Sequence, residues 1–484
     1  MEILLILAIP LALSLAALAV KKTRTIEALN IAGYAAAFLL SVSLADKAAD
    51  ARVNLWDFFC VDGLSAYFIF IVALIDLACA IYSMSYLESD LADGHISPAK
   101  TGFYYFLFNI FSLSMFFVGA VNSLGLVWLA IEMTTLTSAF LVGFYNSKRS
   151  VEAAWKYIIL CSVGITLALL GTVLLYYTAS VHGGLRTLNW TDMAAAAPLM
   201  DPKILKIAFL FILVGYGTKA GLAPMHAWLP DAHSQAPTPV SALLSAVLLK
   251  TAIYAILRFA MIVNSTLGPA YTSNLLLFFG LLSLAVSAGF ILVQKDIKRL
   301  LAYSSVEHIG IICVGLGIGG PAGLFGAFLH VFNHAVTKTL MFFGAGNIIK
   351  HYKTRNMHSM KGVLAAMPFT GAAVMLGAFA LAGSVPFSVF ISELYILLAA
   401  VTAGKYWAAG IFLLFVAIIF GALIHHFSKA LFGRKPDGLP VKTEPLSVKL
   451  VLLALLGLMA FMGFSTPGLL ARFINAAVAV MTGV

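Results

Sequence analysis

The sequence predicts an all-α polytopic membrane protein of about 14 transmembrane helices, built on two inverted repeats of about five helices each, with broken helices. Three observations carry this. Of 484 residues, 62% are hydrophobic and only 10% charged, whereas soluble domains are about half apolar and a quarter charged. Apolar runs near the ~20 residues that span ~30 Å of hydrocarbon recur along the whole chain. Two of these runs are interrupted by the same signal, Gly221-Leu222-Ala223-Pro224 and Gly383-Ser384-Val385-Pro386.

The apolar segments fall near 2–20, 26–45, 60–86, 102–120, 122–145, 152–180, 204–227, 238–262, 272–293, 299–318, 322–349, 363–401, 406–431 and 447–464. The first opens with Glu2, and its basic cluster Lys21, Lys22 and Arg24 follows the apolar part. That order suits a retained anchor rather than a cleaved signal. Residues 1–101 form an N-terminal group of helices, 102–262 the first repeat, 272–431 the second, and 447–484 a last helix with a weakly amphipathic tail suited to the interface. Paired breaks at matching places mark inverted repeats, and tandem copies of an odd-numbered unit insert with opposite topology. Coincidence of two common Gly-x-x-Pro kinks is the competing explanation.

Charge placement orients the chain. The formal charge of +10 comes from basic residues in short loops between apolar segments, so membrane topology explains it and nucleic acid is excluded as a partner. One set of loops collects Lys21, Lys22, Arg24, Lys100, Lys148, Arg149, Lys295, Lys298, Arg299, Lys350, Lys353 and Arg355, among others. The opposite set is poorer by roughly two to one, which puts the first set in the cytoplasm and both termini outside. Cys60, Cys79, Cys161 and Cys313 are scattered and form no CxxC pair. Neither a disulfide framework nor a protein-held iron–sulfur centre is supported, and no cofactor is expected on this chain.

The ionisable residues inside apolar segments carry the functional reading. A lysine at mid-bilayer costs about 2.5–3.5 kcal/mol on insertion scales. Lys219 and Lys250 both sit there, and Lys219 immediately precedes the first break. Broken helices at membrane depth are tolerated where they line a polar cavity. Glu132 stands alone in its segment; a structural ion pair is its plainer role, proton exchange with a lysine its functional one. Two lysines and one acid leave an uneven charge count, which favours exchange. His330, His334 and Lys338 follow at i, i+4 and i+8, on one helix face. An HxxxH pair without a third ligand is a weak metal signal, so a protonatable row is preferred and no metal is assigned. Glu307 and His308 lie about two turns into their helix, and Glu393 follows the second break. Asp76 lies mid-membrane with no partner evident in sequence, Asp62 opens the same segment as a first-turn acid, and Arg258 is either an exit residue or an anchor.

The runs GYGTKAGLAPMHAWLPDAHSQAPTPVSALLSAVLLKTAIYAILR, QKDIKRLLAYSSVEHIG and HVFNHAVTKTLMFF resemble the antiporter-like, proton-translocating subunits of respiratory complex I. That family includes the subunits M, L and N of NADH-quinone oxidoreductase, membrane-bound hydrogenases of group 4 and multisubunit sodium/proton antiporters. The resemblance covers about residues 60–435, and AIEMTTLTSAFLVGFY with WKYIILCSVGITLALLGT looks most like component F of the hydrogenase-4 branch. It implies Glu132 paired with Lys219, Lys250 as relay, His330, His334 and Lys338 as the connecting axis, and Glu393 as terminal acceptor. Glu393 in place of lysine looks more like the M-type subunit, as does a chain ending after its last helix without a long lateral one. Glu307 and His308 stand where many relatives are uncharged, which leaves the second-half route open. The resemblance further implies a multi-pass protein of a prokaryotic cytoplasmic membrane, coupled to other antiporter-like subunits and a peripheral redox arm. The transported ion is the proton, with sodium as the alternative, and all electron chemistry lies in the partners. A sodium/proton antiporter subunit is the rival function; a passive scaffold would have lost the mid-membrane charges.

Overall fold

The computed structural model describes residues 1–483. Among the described residues the regular structure is helical except for one short hairpin, Val53–Leu55 against Phe59–Val61, closed where Trp56 and Asp57 take left-handed backbone. The all-α expectation had no strand here; the hairpin lies between two apolar segments, where the chain is free of the lipid's demand for helix. Among the described residues, eleven helices are long and apolar enough to cross a membrane. Pro202–Ala220 and Gly320–Tyr352 are of comparable length and more polar. Two helices are interrupted. Pro202–Ala220 resumes as Leu229–Gln235, and Pro368–Leu381 resumes as Ser388–Thr402.

Burial sorts the helices into a centre and a rim. A long apolar stretch of each of Thr238–Leu267 and Ile297–Ile318 is wholly enclosed by protein, whereas only about a third of the corresponding stretch of Tyr406–Leu431 is buried (33%). Gly320–Tyr352 is likewise enclosed over its middle, residues 323–346. A helix that never meets lipid can carry polar side chains without the full membrane cost. The three enclosed helices are the ones that carry Lys250, Glu307, His308, His330, His334 and Lys338.

Both breaks are built alike. Gly221 (φ +80°) ends one helix and Gly383 (φ +74°) the other, each in a conformation that a side chain disfavours. Past each glycine the chain folds back on itself: Leu222 N–H donates to Gly217 C=O at 2.9 Å, and Ser384 N–H to Phe379 C=O at 3.0 Å. These are the reversed bonds of a Schellman-type helix end. At the first break Trp228 Nε1 also donates to the Thr218 carbonyl (2.8 Å), and Ser283 Oγ accepts from Ala223 N–H (3.0 Å). Backbone groups freed in the membrane interior therefore find partners within the protein, as they must.

Two local features set the site. At Gly215, an added Cβ would lie 2.5 Å from the backbone nitrogen of Ala168. The glycine lets Pro202–Ala220 press against Lys148–Gly183, within reach of Lys219. At Leu244–Leu248 the helix opens into a π turn, a form that recurs at functional sites. The C-terminal Gly468–Thr482 turns Leu470, Phe473, Ile474, Ala477 and Val478 inward and pairs Arg472 with Asp46 (2.8 Å) and Asp50 (2.7 Å).

Candidate functional site

Lys219 is held by hydroxyls and an aromatic face. Its Nζ donates to Thr135 Oγ1 at 2.9 Å and to the Tyr157 hydroxyl at 2.5 Å, and lies 4.7 Å from the centre of the Tyr157 ring. Tyr157 OH and Ser138 Oγ are hydrogen-bonded at 2.7 Å. Thr135 and Ser138 follow Glu132 at one-turn steps, so the three share a face of Leu124–Val142. The expected direct pair between Glu132 and Lys219 is not formed: no ion pair joins them within 4.0 Å among the described residues. Glu132 Oε1 accepts instead from Ser162 Oγ at 2.9 Å, and Oε2 has no protein partner. Thr135 and the Tyr157 ring occupy the ammonium's surroundings, so neutral oxygens and a π face take the carboxylate's place.

Lys250, 1% exposed, reaches back to the π turn, where its Nζ donates to the Ser245 carbonyl at 2.7 Å. The Ser245 hydroxyl pairs with that of Ser305 at 2.7 Å, and Ser305 Oγ donates to the Leu301 carbonyl at 3.0 Å. Lys338 Nζ donates to the same carbonyl at 2.6 Å and to Ser304 Oγ. Lys250 and Lys338, on different helices, are thus linked through the hydroxyls of Ser245 and Ser305 and the carbonyls of Ser245 and Leu301.

One turn before Lys338 stands His334, with neither ring nitrogen bonded to protein. Its ring stacks on His308, centroids 4.5 Å apart. His308 Nδ1 lies 2.9 Å from His330 Nε2, and His330 Nδ1 lies 2.9 Å from Ser392 Oγ. Glu393 follows Ser392, and its carboxyl packs against the bare Cα of Gly383 at the break. Ligand atoms of His308, His330 and Glu393 lie within 4.8 Å of one another, close enough to share a metal ion. The direct His308–His330 contact already occupies two of those nitrogens. Glu307 is 2% exposed, with Oε2 unpartnered.

Among the described residues, no hydrogen bond joins the Lys219 cluster to Lys250, nor Lys338 to His334. Glu132 is half-buried and stands apart from Lys219. The other expected residues, Lys219, Lys250, Lys338, Glu307, His308, His330, His334 and Glu393, are all buried and follow one another in a file along the centre of the protein. Two members were not singled out from sequence. Lys298, counted there among loop charges, is 3% exposed and donates to the Ala236 carbonyl at 2.8 Å. His233 is fully buried, stacked on Phe342 at 5.2 Å, with both ring nitrogens unpartnered. Its placement in the run between the first break and Lys250 was the available signal. The next residue, Ser234, lines a wide vestibule of about 1490 Å³ with Asp90, Asp231, Asp296, Arg299 and Lys350. Asp231 pairs there with Arg299 (3.0 Å) and Lys156 (3.5 Å). His233 is thus the buried neighbour of a polar mouth on the lysine- and arginine-rich face.

The sequence profile of the NADH:quinone oxidoreductase/Mrp antiporter transmembrane family matches residues 121–420, a stretch that contains every residue of the file. The chain belongs to this family. It is 39% identical over 389 residues to the hydrogenase-4 component F homolog of Methylacidiphilum infernorum, covering 80% of this chain and 82% of that one. It is 32% identical over 348 residues to NADH-quinone oxidoreductase subunit N of Desulforudis audaxviator, covering 72% and 67%. Its fold matches a subunit of the membrane-bound sulfane sulfur reductase, an archaeal respiratory membrane complex, with a TM-score of 0.88 over 99% of this chain and 98% of that one at 23% identity. As a family member, the chain places the family's transmembrane region around its own buried axis.

Proposed function

We propose that this chain translocates protons as the non-redox membrane subunit of a larger respiratory-type complex. The observation that carries this is the buried file itself. Lys250 and Lys338, on enclosed helices, are linked by serine hydroxyls and backbone carbonyls. The stacked His334 and His308, then His330 and Ser392, lead on toward Glu393, and a polar vestibule lies beyond His233. Protons enter from the vestibule past His233, reach Lys250 and the Lys338 row, and leave by way of His308, His330 and Glu393. Lys219 and its hydroxyl cradle set the local charge that loads or unloads Lys250. Glu132 acts on Lys219 through the shared helix face rather than by direct contact.

The names of the relatives support an assembly. A hydrogenase-4 component, a quinone oxidoreductase subunit and a respiratory membrane complex favour other antiporter-like membrane subunits and a peripheral redox arm as partners. The matching Schellman ends at Gly221 and Gly383 support two inverted repeats at 102–262 and 272–431 within about 14 helices. The basic vestibule supports a cytoplasmic placement of that face in a prokaryotic membrane, with both termini outside. The family's Mrp antiporter members favour a second reading, a sodium/proton antiporter subunit.

Reconstitution of the purified complex in vesicles tests the proposal. Lys219→Met or Glu132→Gln abolishes proton transport while partner redox activity persists in part. Full transport in either variant overturns the assignment, and strict dependence on sodium selects the second reading.

A further inference from the structure

Outside the file described above, the largest concentration of unsatisfied buried polar atoms lies among Thr23–Asp50, Gly63–Ala92 and Pro98–Ala120. Asp76 is fully buried, and neither carboxyl oxygen has a hydrogen-bond partner. Asn30 Oδ1, Tyr105 OH, Asn109 Nδ2 and Ser112 Oγ are also buried without partners. Each such group costs roughly 1–3 kcal/mol unless something satisfies it. Five in one three-helix region mark a polar interior rather than a packing accident.

Their order is the informative part. Glu27, Asn30 and Tyr34 fall at i, i+3 and i+7, buried on one face of Thr23–Asp50. Glu27 neighbours the exposed Glu88, and Tyr105 neighbours Glu27. Tyr34 OH donates to Asn109 Oδ1 at 2.7 Å. Ser112, one turn past Asn109, stands beside both Tyr34 and Asp76. Ile69 and Val72 on its own helix and Met115 and Phe116, one turn past Ser112, are apolar and buried. Tyr34 and Cys79 are the titratable groups facing Asp76, and no lysine, arginine or histidine pairs with it among the described residues. Cys79, one turn on, contacts the Pro239 carbonyl at 3.6 Å, near the start of the span that carries Lys250.

We infer that Asp76 is a second proton-binding site of this chain, a blind well filled from the Glu27 side along Asn30, Tyr105, Tyr34, Asn109 and Ser112. A proton taken from water on that side forms the Asp76 carboxyl O–H bond and returns by the same route. An unpaired carboxylate this deep is untenable, so the neutral acid is the resting form. The well lies apart from the translocation file, at the head of the Lys250 span. It goes beyond the proposed function and its test does not read transport.

The test is infrared spectroscopy of the intact complex carrying carbon-13-labelled aspartate. A protonated-carboxyl C=O band, absent in Asp76→Asn, should shift when the solvent is exchanged for D2O. Glu27→Gln and Tyr105→Phe should keep the band and slow its exchange by about tenfold or more, a barrier increase of about 1.4 kcal/mol. Should Asp76→Asn fail to assemble, these two peripheral variants carry the test alone. The absence of an Asp76 acid band, or an exchange rate unchanged in both variants, overturns the inference.

Discussion

Asp62 and Arg258, 196 residues apart, meet as a buried two-pronged ion pair at 2.7 and 2.5 Å. Asp62 also caps the helix Gly63–Ala92 by accepting from Ser65 N–H at 2.9 Å. The Trp190 ring covers the guanidinium, 4.1 Å from its centre. The pair ties the N-terminal helices to the span that carries Lys250, far from the break and on the side opposite the vestibule. Arg258 is therefore an anchor.

Removing one member of such a pair strands the other in a dry site. Asp62→Asn should lower stability by about 3–5 kcal/mol, read as a fall in the melting temperature of the purified complex. Burial pushes the Asp62 carboxyl up, but the Arg258 guanidinium and the Ser65 N–H outweigh it and hold the group below the usual carboxylate range. The pair's contribution is thus complete above the unfolded carboxyl value of about 3.9 and is lost as pH falls through the lower folded value. Acid melts of the wild type should show that loss, and Asp62→Asn should not.

The Tyr157 hydroxyl is the closest oxygen to Lys219. Tyr157→Phe keeps the ring and removes the bond, a charge-assisted contact worth about 1.5–3 kcal/mol. Proton flux in vesicles should fall by about tenfold or more, with redox activity retained. Wild-type flux would mean that the cradle is only packing.

Ser245 and Ser305 give a sharper comparison. Ser305→Ala leaves a buried hydroxyl unpartnered and should cost about 1–3 kcal/mol, whereas changing both serines to alanine should be nearly neutral for stability. Flux should nevertheless stay low in the double variant, because the link between Lys250 and Lys338 is cut. Recovery of flux together with stability would remove the serines from the path.

Gly383→Ala would place a methyl group into the Glu393 carboxyl and costs about 1–2 kcal/mol for left-handed backbone. Gly320→Ala meets the same backbone penalty (φ +68°) with nothing within 4 Å. Flux should drop in the first, as in Glu393→Gln, and persist in the second. Equal losses in the two would trace the effect to the backbone alone.

Much of this was legible in the chain because lipid imposes its costs locally. Span positions follow from apolar length, and Lys219, Lys250, Lys338 and Glu393 stood out because a charge in such a run needs a reason. Partner choice was not legible. Lys219 faces Thr135 and Tyr157 rather than Glu132 because the close approach at Gly215 sets which side chains meet, and that is a property of two helices together. Lys298 looked like a loop cation because it follows Asp296 and Ile297 at a helix start, yet the Leu229–Gln235 segment folds over it. Asp62 and Arg258 each looked plausible alone, and nothing in the sequence joined them.

The π turn at Leu244–Leu248 has a corollary for mutation. It accommodates an extra residue, so everything beyond it is rotated about 100° from where an uninterrupted α-helix would point it. Deleting a single leucine there would leave length, hydropathy and membrane insertion almost unchanged, yet swing the Lys250 side chain away from the serines. Such an allele would pass every test of biogenesis and carry no current.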